Sequence, residues 1–215
     1  MQVLITGANR GIGAALRAAY LRRGDDVVGT SRGPVAEPGW VSLDVTEPDT
    51  VGGLANAVDA PLDLLVANAG VYLDKGSVLD GGYPAAMWAD SFAVNVTGVF
   101  LTIQALLPQL RAARGKIAII SSQMASHERA PGGSYIYRAS KAAALNLGRN
   151  LSRDLAGDGV AVGIYHPGWV QTDMGGSVAE ITAEDAAKGL VARFDELDLG
   201  STGSFRTWDG RDHSY

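Results

Sequence analysis

The chain has 215 residues, 47 % hydrophobic and 19 % charged, a balance that supplies a packed core and excludes a disordered polymer. It contains no cysteine, which excludes disulfides, thiolate nucleophiles and cysteine metal ligands. A net charge of −5, with arginines scattered rather than clustered, argues against a nucleic-acid partner.

Short β-branched runs alternate with longer amphipathic stretches. Val3–Thr6 reads as the first strand and Gly11–Arg23 as the first helix, with Leu16, Ala19 and Tyr20 on one side. Strands follow at Asp26–Thr30 and Trp40–Leu43, then a short helix at Val51–Val58 and a nearly all-apolar strand at Leu62–Ala67. Next come a long helix around Ala85–Arg111, a strand at Lys116–Ser121 and a second long helix around Tyr137–Leu155. The strand Val160–His166, a helix Ala183–Leu197 and a last strand near Gly203–Trp208 complete the order, with Thr182 as N-cap of that helix. Such alternation requires an α/β fold: a doubly wound, mostly parallel sheet of seven strands with helices on both faces. No Pro- and Gly-rich boundary divides the chain, so residues 1–215 are expected to form one domain. The start lacks the basic residues and cleavage site of a secretory signal, and polar residues break the apolar runs before membrane-spanning length. A cytoplasmic protein without membrane association is expected.

The segment Thr6-Gly7-Ala8-Asn9-Arg10-Gly11-Ile12-Gly13 joins a strand to a helix. Gly7 permits the tight turn, Gly11 lets backbone approach a pyrophosphate, and Gly13 permits close helix packing, while the helix N-terminus faces negative charge. This is a Rossmann-type dinucleotide cradle, and Asn9, Arg10 and Ile12 are assigned to it with the glycines. At the end of the second strand a carboxylate would repel a 2′-phosphate, but the residues there are Ser31 and Arg32. Arg32 suits bidentate phosphate binding, helped by Ser31 and Arg10, so NADP(H) is favoured, with NAD(H) the alternative. Asp44 and Val45 are placed to border adenine, and Asn68-Ala69-Gly70 to pass close to the adenosine half.

Tyr137 and Lys141, four residues apart, share a helix face. A phenol ionises near pH ~10, and a cation about 4–6 Å away typically lowers such a value by about 1–3. Lys141 is therefore expected to bring Tyr137 toward proton exchange near neutral pH and to bond the nicotinamide ribose. Ser122 is the expected second donor to a substrate oxygen, with Ser121 the alternative that strand alternation turns away. Asn95 is placed either to hold water or to make a local bond within its helix. Tyr135 has no lysine four residues on, so it lines the pocket or packs. Three histidines without ligand spacing make a metal site a poor reading.

Over essentially its whole length the chain resembles the short-chain dehydrogenase/reductase family, on Thr6–Gly13, Asp44-Val45, Asn68–Gly70, Asn95, Ser122, Tyr137, Lys141 and Pro167-Gly168. The resemblance implies a tetrad of Asn95, Ser122, Tyr137 and Lys141, with Asn95 in a proton relay. It also implies a B-face hydride and homodimers or homotetramers built on the long helices. Pro167, Gly168, the Val170 backbone and the Thr172 hydroxyl are implied to meet the nicotinamide carboxamide. Within the family, Ile119–Gln123, Gly132-Gly133 and Pro167–Met174 resemble the C-factor and sniffer-like carbonyl reductase branch. The implied reaction interconverts a ketone or aldehyde and an alcohol; the rivals are a cofactor-sensing signalling protein and a dehydratase or epimerase. Because Asp173–Ile181 is short, an open substrate pocket is expected, lined by Met124, Tyr135, Trp169 and Met174 with Tyr72 at its rim.

Overall fold

A computed structural model describes residues 1–33, 37–58 and 60–215. Its strands are β1 (Gln2–Ile5), β2 (Asp26–Ser31), β3 (Trp40–Ser42), β4 (Leu64–Ala67), β5 (Lys116–Ile120), β6 (Ala161–His166) and β7 (Phe205–Thr207). They form one sheet in the order β3-β2-β1-β4-β5-β6-β7, with every neighbouring pair parallel. The helices are α1 (Gly11–Arg23), α2 (Pro48–Gly52), α3 (Leu54–Ala57), α4 (Ala85–Phe92), α5 (Gly98–Ala105), α6 (Leu107–Ala113), α7 (Tyr135–Leu155) and α8 (Ala183–Glu196).

Strand alternation sorts the core onto two faces. Val3, Ile5, Leu64, Val66, Ala118 and Ile120 pack with Leu16 and Tyr20 of α1 and with Leu190 and Phe194 of α8. Their neighbours Leu4, Leu65, Ala67, Ile117 and Ile119 pack with Leu54 of α3, Val99 and Ile103 of α5 and Leu155 of α7. Both faces are covered, which is why these strands read as unbroken apolar runs. β1 pairs with β2 on one side and β4 on the other, so the crossovers diverge there and open a crevice at the carboxyl ends of the strands.

The expected helix Ala85–Arg111 is not one regular element. A π-helical turn, Ala93–Thr97, separates α4 from α5, and Leu106 breaks the run before α6, whose first turn carries Pro108. The expected helix Val51–Val58 is two short ones, α2 and α3, with Gly53 between them. The stretch Ala85–Ala105 also corrects the reading of the apolar runs, being long and apolar enough by length and composition to cross a membrane. Here Val99 and Ile103 sit in the sheet core and Asn95 is fully buried, with 33% of the apolar window buried, so one side of the stretch packs on the sheet.

Candidate active site

The floor of the site is built where β1, β2 and β4 end. Gly7 (φ +63) and Gly11 (φ +54) adopt the left-handed backbone that the turn requires. A Cβ on Gly13 would stand 2.3 Å from the Gly7 carbonyl oxygen and 2.7 Å from Asn68 Nδ2, so α1 starts directly against the turn. Thr6 Oγ1 accepts the backbone N–H groups of Asn68 (3.0 Å) and Ala69 (2.9 Å), and Gly7 N–H donates to Thr30 Oγ1 at 3.2 Å. Asn68 Nδ2 donates to the carbonyls of Thr6 (2.9 Å) and Gly7 (3.2 Å), which makes this side chain a buttress of the turn.

On that floor lies a cavity of about 1060 Å³. Gly7, Asn9, Arg10, Gly11, Ile12 and Gly13 line its middle; Ser31, Arg32, Asp44 and Val45 line one end, with Asn68, Ala69 and Gly70 beneath. Tyr137, Lys141, Pro167 and Thr172 line the other end. Asn95, Ser122, Gly168 and Val170 lie outside this lining. The glycine cradle, the helix N-terminus and an arginine at the second strand's end fit a phosphorylated dinucleotide laid across the carboxyl ends of the strands. Asp44 Oδ1 accepts both the N–H (2.9 Å) and the hydroxyl (2.7 Å) of Thr46, and chiefly the hydroxyl bond lowers its pKa. Arg10 lines the same cavity, and its guanidinium pairs with exposed Asp173 at 2.9 Å.

At the chemical end, α7 presents Tyr137 and Lys141, both buried, to the same cavity. Lys141 Nζ lies 5.8 Å from the Tyr137 ring centroid and donates to the Ile120 carbonyl at 2.9 Å. Ser121 donates to the Lys141 carbonyl at 3.0 Å and so braces α7 against β5. Ser122 accepts the Met124 N–H at 3.1 Å, and its hydroxyl acts to lower the pKa of the Tyr137 phenol. Asn95 sits in the π-turn beneath Gly70. Its Oδ1 accepts Val71 N–H at 2.9 Å, and its Nδ2 donates to the Val71 carbonyl and to Ser140 Oγ, both at 2.9 Å. These contacts engage both polar ends of the amide and tie the π-turn to the segment after β4 and to α7.

The expected depression of the tyrosine pKa is corrected. Burial pushes the Tyr137 phenol up to about 12, with the Ser122 hydrogen bond acting in the opposite direction. Burial also draws Lys141 down to about 8. Desolvation penalises the charged form of each group and is the largest influence on both.

Tyr72, expected at the pocket rim, and Asp74, for which the sequence raised no expectation, complete this end. Tyr72 stacks on Tyr137, ring centroids 4.2 Å apart and planes at 21°, and shares a 2.5 Å hydrogen bond with Ser134 Oγ. Buried Asp74 accepts the N–H groups of Ile136 (2.9 Å) and Tyr137 (3.2 Å) at the start of α7. Of the expected pocket residues, Met174 lines the cavity and Trp169 is exposed beside it, its Nε1 donating to the Gly175 carbonyl at 3.0 Å. Met124 is half-buried outside the lining. Tyr135 stands apart from the cavity, edge-on to Tyr83 in a separate groove of about 470 Å³ that includes Trp88.

The short chain dehydrogenase family model matches residues 1–182. The 1-hydroxy-2-glutathionyl-2-methyl-3-butene dehydrogenase of Rhodococcus sp. (strain AD45) is 34% identical, with 97% of this chain and 96% of that protein covered. The C-signal protein of Myxococcus xanthus is 38% identical over 72% of this chain and 93% of its own length. The NADPH-bound carbonyl reductase from chicken fatty liver superposes with a TM-score of 0.90 at 27% identity, covering 100% of this chain and 98% of that one. These matches agree with the resemblance drawn from the motifs, down to the C-factor and carbonyl reductase branch. With the glycine cradle, the buried Tyr137–Lys141 pair and the family match in register along one sheet, the chain belongs to the short chain dehydrogenase family.

Proposed function

We propose that this protein is an NADPH-dependent carbonyl reductase, with cofactor and catalytic groups in one domain spanning residues 1–215. The observation that carries the reading is a single cavity running from Ser31 and Arg32, over the glycine turn, to Tyr137 and Lys141. Arg32 and Ser31 would hold a 2′-phosphate, Gly7, Asn9, Arg10, Gly11, Ile12 and Gly13 the pyrophosphate region, and Asp44 and Val45 the adenine. Asn68, Ala69 and Gly70 would underlie the adenosine half, and Pro167, Gly168, Val170 and Thr172 the nicotinamide side. The NADPH in the chicken carbonyl reductase supports the same cofactor here. When bound, NADPH supplies the hydride.

The chain's own part is to place and protonate the substrate oxygen. Ser122 polarises it, Tyr137 donates the proton, and Lys141 holds the ribose while Asn95 supports proton return through the π-turn. A phenol that stays protonated at neutral pH is suited to carbonyl reduction, because the acid form is the one required. The substrate is a small molecule bearing an aldehyde or ketone. We further infer a cytoplasmic enzyme that assembles as a homodimer or homotetramer through its long helices.

The likeness to C-signal favours a second reading, a cofactor-binding signalling protein with incidental turnover. One experiment separates the two: a panel of aldehydes and ketones assayed with NADPH and NADH, for wild type and Tyr137→Phe. The reductase reading expects NADPH-linked turnover that falls at least ~100-fold in Tyr137→Phe, with cofactor affinity retained. Tight NADPH binding without turnover across the panel would favour the signalling protein instead.

A further inference from the structure

Among the described residues, two that are not glycine have a positive φ, Arg114 (φ 48) and Ser134 (φ 50). Arg114 is the left-handed cap at the end of α6, where that conformation is ordinary. Ser134 stands instead at the start of α7, where a serine usually has an extended backbone and caps the helix with its hydroxyl. It does neither: its side chain makes no cap bond, and Asp74 takes the N–H groups of Ile136 and Tyr137. Strain of this kind persists only where the surroundings enforce it. The Ser134 hydroxyl serves another partner, sharing a 2.5 Å hydrogen bond with the hydroxyl of Tyr72, 62 residues earlier. The Tyr72 ring in turn lies stacked on Tyr137, with centroids 4.2 Å apart and planes at 21°.

We propose that Tyr72 and Ser134 form a clamp that positions the proton donor: the Tyr72 ring, anchored through its hydroxyl, holds the Tyr137 ring against rotation and fixes where the phenol oxygen meets the substrate. This rests on the reductase reading above. The Asp74 cap secures the Tyr137 backbone, but a backbone bond leaves the side-chain torsions free. The phenol oxygen sits at the far end of a rigid ring, so a small rotation at Cβ displaces it by roughly 1 Å, an error that can cost about 100-fold in rate. A stacked neighbour opposes that rotation only if it is itself immobile. Tyr72 is half-buried, and three ties hold its segment. Asn95 bonds both the N–H and the carbonyl of Val71, Asp74 is bound to the first turn of α7, and the Tyr72 hydroxyl is bound to Ser134. The left-handed serine thus gives up its own helix cap to anchor the ring that lies against the proton donor. Tyr72 acts through Tyr137 and is a positioning residue.

The test uses variants that leave Asp74 in place. Tyr72→Phe and Ser134→Ala each remove the shared bond and keep the stacked ring, whereas Tyr72→Leu removes the ring. Two readouts are taken: kcat and KM for a carbonyl substrate with NADPH, and flipping of the Tyr137 ring in protein carrying ¹³C-labelled tyrosine, its signals assigned by their loss in Tyr137→Phe. The clamp predicts that kcat falls about 3–10-fold in Tyr72→Phe and in Ser134→Ala, with no further fall in the double variant, because both delete one bond. In Tyr72→Leu kcat should fall at least ~30-fold with KM little changed, and the paired Tyr137 ring signals should merge as flipping accelerates. Should Tyr72→Leu fail to fold, the two milder variants and their double carry the comparison. If the urea midpoint falls while kcat and ring flipping stay as in wild type, the stack is ordinary packing and the proposal is overturned. A rise in substrate KM with kcat unchanged would make Tyr72 a substrate contact and overturn it too. Faster flipping in a protein without carbonyl turnover would sustain the clamp and sink the reductase reading. Turnover with kcat and flipping unmoved would do the reverse.

Discussion

Replacing Gly13 with alanine sets a helix preference against a steric limit. Within α1, alanine would gain about 1 kcal/mol over glycine from backbone entropy alone. Its Cβ would stand 2.3 Å from the Gly7 carbonyl oxygen, so that oxygen or the helix start must move by roughly 1 Å to reach ordinary contact. The oxygen has little room to yield: Gly7 lies within 3.2 Å of Ala69 Cα if given a Cβ of its own, and Asn68 Nδ2 bonds both Thr6 and Gly7 carbonyls. Overpacking of this kind costs about 1–3 kcal/mol, and a strained Asn68 bond about 1 kcal/mol more. A net loss of about 1–3 kcal/mol should appear in urea denaturation, together with at least ~10-fold weaker NADPH binding by fluorescence titration. Gly52→Ala is the control, since nothing lies within 4 Å of its added Cβ at the end of α2. It should be neutral or gain up to about 1 kcal/mol and leave NADPH binding intact. Wild-type stability and affinity in Gly13→Ala would refute the claim that close approach at the turn shapes the cradle.

Arg32→Ala should weaken NADPH binding by roughly 10-fold or more, the effect of losing a charge-assisted phosphate bond, while NADH affinity is unchanged; equal losses for both cofactors would count against the 2′-phosphate role. Lys141→Met should abolish turnover yet raise stability at pH 7 by about 1–2 kcal/mol, because burial lowers this ammonium's pKa to about 8 and the lost Ile120 bond offsets only part of that cost. The sign follows from proton binding: between pH ~8 and ~10.5 the unfolded chain holds the proton that the folded chain has released, so the advantage of methionine fades across that window in urea melts. Thr182→Ala removes the oxygen that accepts Asp185 N–H at 3.1 Å and should cost about 1 kcal/mol, read from the thermal midpoint.

Strands and the cradle were legible because their signals are local. β-Branched runs covered on both faces stay apolar throughout, and glycines at a strand–helix junction mark the positive φ angles found at Gly7 and Gly11. Tyr137 and Lys141 were legible as a pair because four-residue spacing on a helix puts them on one face. What was missed depends on distant chain. α7 begins two residues earlier than its sequence suggested, since its cap arrives from Asp74 rather than from its own flank. The direction of the Tyr137 shift depends on enclosure, including a tyrosine stacked from another loop, which residue spacing does not report. The pairing of Arg10 with Asp173, 163 residues on, left no mark in the sequence. Tyr135 was recoverable: two residues from Tyr137 on a helix, it points to nearly the opposite side, where it meets Tyr83.

The contacts that tie the stretch after Thr172 to α1 and to the loop after β4 include the exposed Arg10–Asp173 pair and a bond from Lys75 Nζ to the Met174 carbonyl. Solvent-facing ties of that sort contribute little, commonly below about 1 kcal/mol. Exposed side chains on this border, such as Asp173, Met174 and Val178, can therefore be exchanged at small thermodynamic penalty, whereas Gly13 in the cradle tolerates no added atom. Evolution, or an engineer, can retune which molecules enter by rewriting this border while the hydride machinery behind it stays untouched.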